Sequence, residues 1–322
     1  MSEPGPENTG PVAVQLINAL KTWRYLRLAM AGLAVTLFAA ILEDFARGEH
    51  RSAGSTEHCF QGSISAYYYT PVHAFLVGAL VAIGVCLYCI KGDTPVEDVL
   101  LNLAGMFAPI VALVPTDPPH QCRTFGFAIN RFANAGNNMF ALAVLETIAF
   151  GFLFVLIRIK GNLPGDAPAP TVADVIGYGV GVALLVVQWV FWVLSLNTDW
   201  VYKKPTHYTA AILMFVCIFL VVCFRAAAES PGHDVWWHLR HPNLETWIAM
   251  LMLASLVLFA GLKFGVGWGK SVFQVEFCLI ASFVLFWIVQ TIRDWHGERA
   301  PQSIGPEFVR RLAEPTTIGQ AG

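Results

Sequence analysis

Eight apolar stretches of 20 or more residues follow one another through this sequence. A helix crosses the hydrocarbon core of a bilayer in about 20 residues, so runs of this length with few charges match a membrane. The chain is 56% hydrophobic and 13% charged, whereas soluble domains carry about 25% charged residues. The pattern predicts an all-α polytopic protein, a transmembrane helix bundle of about eight spans.

Three regions are expected along the chain. Residues 1–24 form a cytoplasmic N-terminal segment whose apolar residues recur at helical spacing, which predicts an interfacial helix over 11–23. Residues 25–293 form the transmembrane bundle, and residues 294–322 form a polar cytoplasmic tail. The expected spans are 25–45, 67–90, 96–116, 139–159, 174–196, 206–226, 244–264 and 271–292.

Local patterns indicate how some helices start and pack. Thr94, Pro95 and Glu97 predict the start of the third span, as an N-cap, a first-turn proline and a capping-box glutamate. Rows of small residues let helices approach closely in lipid. Such rows occur in the second span and in the fifth span, as Ala74, Gly78, Ala82 and Cys86, and as Gly177 and Gly181.

Basic residues predict that both termini lie inside. In that orientation the inner side carries 12 of the 20 Lys and Arg residues and the outer side carries 8. Cys59 and Cys122 then lie in the first and third loops, both on the outer, oxidising side, where a disulfide is permitted. We expect a Cys59–Cys122 bond. The alternative is a pair of loop thiols too far apart to bond.

Polar residues within four spans lie at a similar predicted depth. His73, Glu146, Gln188 and Glu276 each fall roughly 8–14 Å from the outer ends of their helices at 1.5 Å per residue. Ionisable groups in hydrocarbon usually face the bundle interior and pair with one another. The pattern predicts an outward-facing polar site in which His73 pairs with Glu146 or Glu276. The alternative is that each residue satisfies a nearby backbone group and only fixes helix packing.

The segment Ser63–Thr70 reads Ser-Ile-Ser-Ala-Tyr-Tyr-Tyr-Thr at the start of the second span. Its tyrosines form either an aromatic belt at the headgroup level or, with Ser65, the mouth of the polar site above His73, lined by Tyr68 and Tyr69. This segment, with Gly78, Gly84, the Leu103–Gly105 helix and the Pro115-Thr116 ending, resembles a group of bacterial multi-span integral membrane proteins. The resemblance implies a multi-span protein of the bacterial inner (plasma) membrane and implies no particular activity.

The polar site favours a transporter or permease, with the lipid bilayer and a small molecule or ion as partners. One alternative is a structural or accessory membrane subunit without transport activity. Another is a lipid-modifying membrane enzyme using Ser65 with His73. No motif predicts a metal, a cofactor or nucleic-acid binding. The histidines His233, His238 and His241 match no zinc spacing, and they favour an interfacial loop.

Overall fold

The structure is a computed structural model that describes residues 11–47, 60–116, 131–160, 172–197, 204–229, 240–265 and 271–296. Eight α-helices and one short 3₁₀ helix lie wholly within these ranges. They are α1 (Pro11–Arg47), the 3₁₀ helix (Ser65–Tyr69), α2 (His73–Cys89), α3 (Pro95–Leu113), α4 (Arg131–Lys160), α5 (Val172–Ser195), α6 (Lys204–Ala228), α7 (Leu244–Gly265) and α8 (Ser271–His296). All regular structure in the described ranges is helical, which confirms the all-α class.

Six of the described helices are long and apolar enough to cross a membrane, judged by length and composition. They are α1, α3, α4, α5, α6 and α8, while α2 and the Leu244–Leu258 part of α7 are apolar but shorter. Large apolar side chains cover their outer faces; on α4, Leu145, Ile148 and Phe152 are 61–64% exposed. Apolar surface this extensive suits lipid better than water. The described helices therefore have the character of a membrane-protein bundle.

Helix α3 lies at the centre of the bundle. It packs against α2 on one side and α6 on another, and it also touches α4 and α5. Helix α8 packs against α1 and α7, and α1 also contacts α2. The continuous core includes Ala104 and Ala108 of α3, Val222 of α6 and Phe286 of α8, all nearly inaccessible.

Polar contacts concentrate at the two ends of the bundle. At one end, which we call the Ser65 end, the 3₁₀ helix contacts the C-terminus of α3 and the N-termini of α6 and α8. For example, the Phe273 N–H donates to the Gly62 carbonyl over 3.0 Å. At the opposite end, which we call the Arg225 end, the C-terminus of α6 contacts the N-terminus of α3 through Arg225, Asp93 and Glu97. Successive helices thus alternate in direction between two polar ends.

The start of α3 confirms the predicted cap. The Thr94 hydroxyl accepts the Glu97 N–H over 3.2 Å, and the Glu97 carboxylate accepts the Asp93 N–H over 2.9 Å. Pro95 occupies the first turn, where a missing N–H costs nothing. The same Glu97 side chain, 1% exposed, also pairs with Arg225 of α6 over 3.2 Å. The capping box therefore fixes both the start of α3 and its contact with α6.

The second span differs from its prediction as one helix over 67–90. The chain forms the 3₁₀ helix first, breaks at Thr70 and starts α2 only at His73. Thr70 is extended, with φ −125° and ψ 173°, because the ring of Pro71 disfavours helical backbone at the preceding residue. Tyr67 and Tyr68 of the 3₁₀ helix are buried in protein, so these two side chains do not form a lipid-facing belt.

Two other helices are longer than predicted. The expected interfacial helix over 11–23 and the first span are one continuous helix, α1. Helix α4 begins at Arg131, about two turns before the predicted start at 139. Polar residues such as Asn134 and Asn137 occupy those added turns, so hydropathy alone does not reveal them.

Glycine packing uses a different face of α2 from the one that the small-residue row predicted. A methyl group placed on Gly78 would have no atom within 4 Å, and Ala74 is exposed. The contact runs instead through Gly84, where an added Cβ would lie 2.9 Å from the Gly105 carbonyl oxygen and from Cδ of Pro109. In α5 the predicted row does pack, because Gly177 lies against Val99 and Gly181 against Phe150.

The α2–α3 approach generates a matched pair of variants. Gly84→Ala is expected to destabilise the protein by about 1–3 kcal/mol, since the methyl group overpacks a rigid backbone contact. Gly78→Ala, on the same helix with open space around it, should be neutral or stabilising by about 0.5–1 kcal/mol. Thermal unfolding of both variants in detergent measures the difference. Equal melting temperatures would contradict the Gly84–Gly105 contact.

Candidate functional site

Glu276 connects α8 to the non-helical segment that precedes α2. Its Oε2 accepts the backbone N–H of Ile64 over 2.5 Å, and its Oε1 accepts the Ser65 hydroxyl over 3.3 Å. Glu276 lies in the second turn of α8, close to the start of that helix. Ser65 and Glu276 are both half-buried. The carboxyl group therefore sits at the Ser65 end with partial access from outside the bundle.

His207 approaches the same serine from α6. Its Nε2 lies 3.0 Å from the Ser65 Oγ, and its Nδ1 lies 2.6 Å from the Val114 carbonyl oxygen. A carbonyl only accepts hydrogen bonds, so Nδ1 must carry a hydrogen, and Nε2 of the neutral ring is left to accept the Ser65 hydroxyl. The Val114 carbonyl is available because α3 ends there, before Pro115.

These contacts form one hydrogen-bonded chain from Glu276 through Ser65 to His207, which we call the relay. The Ser65 hydrogen can point at Nε2 of His207 or at Oε1 of Glu276. When His207 is protonated, a shift of both hydrogens along the chain gives neutral His207 and a protonated Glu276. Charge is conserved in this step, and the serine hydroxyl is regenerated. The chain also has a direction, because Glu276 is half-buried whereas His207 is 2% exposed.

His73, the expected centre of the polar site, has local partners. It is the first residue of α2, its Nδ1 lies 2.7 Å from the Tyr68 carbonyl oxygen, and its ring meets the Tyr68 ring edge-on at 4.2 Å. Neither Glu146 nor Glu276 is among its described partners. Tyr69 donates its hydroxyl to the Thr116 carbonyl over 2.5 Å, and this bond ties the 3₁₀ helix to the end of α3.

Glu146 and Gln188 lie together, apart from the Glu276 chain. Gln188 of α5 is the side chain beside the Glu146 carboxyl of α4, and both are nearly buried. Within the described part of the chain, Oε2 of Glu146 and both amide atoms of Gln188 make no hydrogen bond of ordinary geometry. Because α4 begins at Arg131, Glu146 lies about four turns along the helix and not two. The four residues expected in one layer thus lie in three separate places: His73 by itself, Glu146 with Gln188, and Glu276 with Ser65.

His207 is the site residue that the sequence did not reveal. It lies one turn inside α6, next to the polar sequence Lys203–Thr206, and hydropathy places such a residue at a span end. The available signal was its position, since an ionisable residue one turn into an apolar span faces protein more often than lipid. Recognising its pairing with Ser65 required the path of the chain, because 142 residues separate the two.

The Arg225 end carries ion pairs in place of a hydroxyl relay. Arg225 pairs with Asp93 and Glu97, and Arg293 of α8 pairs with Glu229 and with Glu245, which is fully buried. The Gln290 amide also donates to Glu245, over 3.0 Å. Both arginines are matched by carboxylates that lie in other helices or next to helix ends, which is typical of contacts that hold helices together.

Other residues of interest lie outside the described ranges. Cys59, Cys122, His233 and His238 belong to this group, and His241, which is described, is exposed. Among the described residues, no group of three or more His, Cys, Asp and Glu side chains is arranged to hold a metal ion.

Comparison with known proteins adds no relative to this picture: no family model, no curated protein and no solved structure matches the chain significantly.

The hydrogen-bond geometry predicts the tautomer of His207. Neutral His207 should carry its hydrogen on Nδ1, because the Val114 carbonyl 2.6 Å away needs a donor. Solid-state ¹⁵N NMR of histidine-labelled protein in lipid measures this directly, with His207→Gln identifying the signal. The expected spectrum shows a protonated Nδ1 and a bare, hydrogen-bonded Nε2. The opposite tautomer would show that the Ser65 hydroxyl does not donate to His207.

Proposed function

We propose that this chain is a proton-linked permease of the cell membrane, the inner membrane of a bacterium, in which Glu276, Ser65 and His207 exchange the transported proton. The observation that carries the proposal is the continuous hydrogen-bonded chain between two titratable groups on different helices. A hydroxyl between two titratable groups can accept a hydrogen from one and donate its own to the other, which is what proton exchange requires. Ionisable residues within membrane spans commonly belong to such proton pathways.

The proposed topology has eight spans with both termini inside. The excess of Lys and Arg on one side supports it, and so does the alternation of helix direction between the two polar ends. In this topology the Ser65 end faces outside. The half-buried Glu276 then receives protons from the outer medium, and the buried His207, at the contact of α3 and α6, takes them towards the bundle interior.

Further polar groups at the Ser65 end support a permease over a purely structural protein. The Gln61 side chain is 1% exposed, and neither atom of its amide has a hydrogen-bond partner among the described residues. The hydroxyl of Thr116, beside the Tyr69 contact, is also buried without a partner in the described ranges. Buried polar groups are normally satisfied by protein or ordered water. These positions therefore suit water molecules or a polar solute passing the relay.

A membrane hydrolase is the second candidate, and the Ser65–His207 contact favours it. Nε2 of His207 is positioned to take the hydroxyl proton, as the general base of a serine hydrolase does. The rest of the site departs from that pattern. In a serine triad the carboxylate orients the histidine, whereas here Glu276 contacts the serine and a backbone carbonyl orients His207. A carboxylate on the nucleophile would also oppose the negative charge of an acyl-transfer intermediate.

The relay predicts different results for two substitutions of Ser65. Liposomes that contain the protein and an internal pH-sensitive dye are placed in a medium more acidic than their interior. Addition of small solutes from a metabolite panel should then cause proton entry that depends on the solute. Ser65→Ala should lower this rate by about tenfold or more, in line with the loss of a positioned proton-transfer group. Ser65→Thr keeps the hydroxyl and should retain most of the rate.

Three outcomes would contradict the permease. The first is a rate of proton entry that is the same in liposomes with wild-type protein as in protein-free liposomes, for every solute tested. Equal rates for the alanine and threonine variants, at equal thermal stability, would leave the hydroxyl a packing role only and favour the accessory-subunit alternative. Covalent labelling of Ser65 by a fluorophosphonate, lost in His207→Gln, would replace the permease with the hydrolase.

A further inference from the structure

A second site of different chemistry lies near the Arg225 end, away from the relay. A cavity of about 240 Å³ opens between the last turn of α2, the first half of α3, and α4 and α5. Lys91 and Asp98 line it near the start of α3, whereas Met106 lies about two turns further along that helix and Phe150 lies about three turns before the end of α4. None of these residues belongs to the Glu276–Ser65–His207 chain.

Glycines on α5 help to form this cavity. Gly177 and Gly181 line it with bare backbone, next to Val99 and Phe150 respectively. A methyl group at Gly181 would lie 2.6 Å from Cζ of the Phe150 ring, so even alanine does not fit without a shift. The two glycines therefore let α5 pack directly against Val99 and Phe150, which form part of the cavity wall.

The polar side of the cavity is rich in unused hydrogen-bond donors. Lys91 donates to Asp98 over 2.6 Å, but its side chain is 64% exposed and its ammonium group has two further N–H donors. Asn102, Tyr88 and Tyr178 also line the cavity, and within the described part of the chain their amide and hydroxyl groups make no hydrogen bond. One cationic and three neutral donor groups around a small space suit an oxyanion such as a phosphodiester.

Polarity falls along the cavity in the direction of the membrane interior. Lys91 follows the end of α2, at the level where that helix leaves the apolar layer, whereas Phe150 lies about 15 Å from the end of α4 by helix rise. Leu153 at the rim is 37% exposed on the apolar outer face of α4. The cavity thus joins a headgroup-level donor cluster to a surface that faces acyl chains.

We propose that this cavity binds one glycerophospholipid molecule, with its phosphodiester at Lys91, Asn102 and Tyr178 and its glycerol and upper acyl chain against Met106, Phe150 and Leu153. The pairing of Lys91 with Asp98 leaves the donor cluster close to neutral, so the site recognises the phosphodiester shared by zwitterionic and anionic phospholipids. A water-soluble phosphate compound lacks the part that fills the apolar side. The proposal is independent of the permease and of the relay.

Native mass spectrometry of the full-length protein in detergent tests the site. We expect one phospholipid to stay bound at low lipid-to-protein ratio, with diacylglycerol of the same acyl chains and free glycerol phosphate failing to replace it. Lys91→Gln should weaken retention about tenfold, the effect of one charge-assisted hydrogen bond. Tyr178→Phe, which removes only a hydroxyl, should weaken it about fivefold.

Matched controls separate this site from the lipid shell around the bundle. Lys21→Gln and Tyr25→Phe make the same chemical changes at exposed positions of α1 and should leave retention unchanged. If Lys91→Gln and Tyr178→Phe, folded to the same melting temperature, retain phospholipid like wild type, the cavity is not the site. Equal retention of diacylglycerol would overturn the role of the donor cluster. Retention of free glycerol phosphate would assign the cavity to a soluble phosphate compound.

Discussion

The carboxylate of Glu276 satisfies a segment of backbone that is not in an α-helix. Pro71 prevents α2 from extending back to Ser65, and the residues before it therefore lose the hydrogen bonds that a helix would supply. In hydrocarbon an unsatisfied backbone group costs several kcal/mol. Glu276 removes one such cost by accepting the Ile64 N–H, and the Phe273 N–H removes another at the Gly62 carbonyl. The position of the 3₁₀ helix, and with it the relay, depends on these bonds.

The two ends of the bundle use polar groups in different ways. At the Arg225 end, Arg225 and Arg293 are each held by two carboxylates in or next to other helices, which gives firm contacts with little freedom to transfer a proton. At the Ser65 end, a hydroxyl joins a carboxyl to an imidazole, and the same contacts are compatible with two positions of the hydrogens. This difference is why the proposed activity belongs to the Ser65 end.

The parts of the fold that hydropathy and local rules describe were predictable from the sequence. The all-α class and the capping box of Thr94 and Glu97 are confirmed, because both depend on neighbouring residues. The break before Pro71 was also readable in principle, since the proline rule is local. The early start of α4 was not, because its first two turns are polar.

The candidate site was predictable only in its separate residues. Ser65 and Glu276 were singled out as a polar residue near a span start and a charge within an apolar run. Their contact with each other, and with His207, depends on which helix faces meet across more than a hundred residues of sequence. The predicted depth of Glu146 depended on where α4 begins, so an error of two turns was enough to separate it from Glu276. Helix contacts in lipid leave little trace in hydropathy, because lipid-facing and protein-facing surfaces are both apolar.

In the proposed mechanism a proton moves between Glu276 and His207 through the Ser65 hydroxyl. Infrared difference spectroscopy of the membrane-reconstituted chain, between acidic and alkaline pH, measures it through the C=O stretch of a protonated carboxyl group. We expect a carboxyl band that is lost in Glu276→Gln and that shifts in both Ser65→Ala and His207→Gln, because each of the latter changes alters the hydrogen bonding of that group. A carboxyl band that persists in Glu276→Gln would contradict this mechanism, and so would a band whose frequency is unchanged in both Ser65→Ala and His207→Gln.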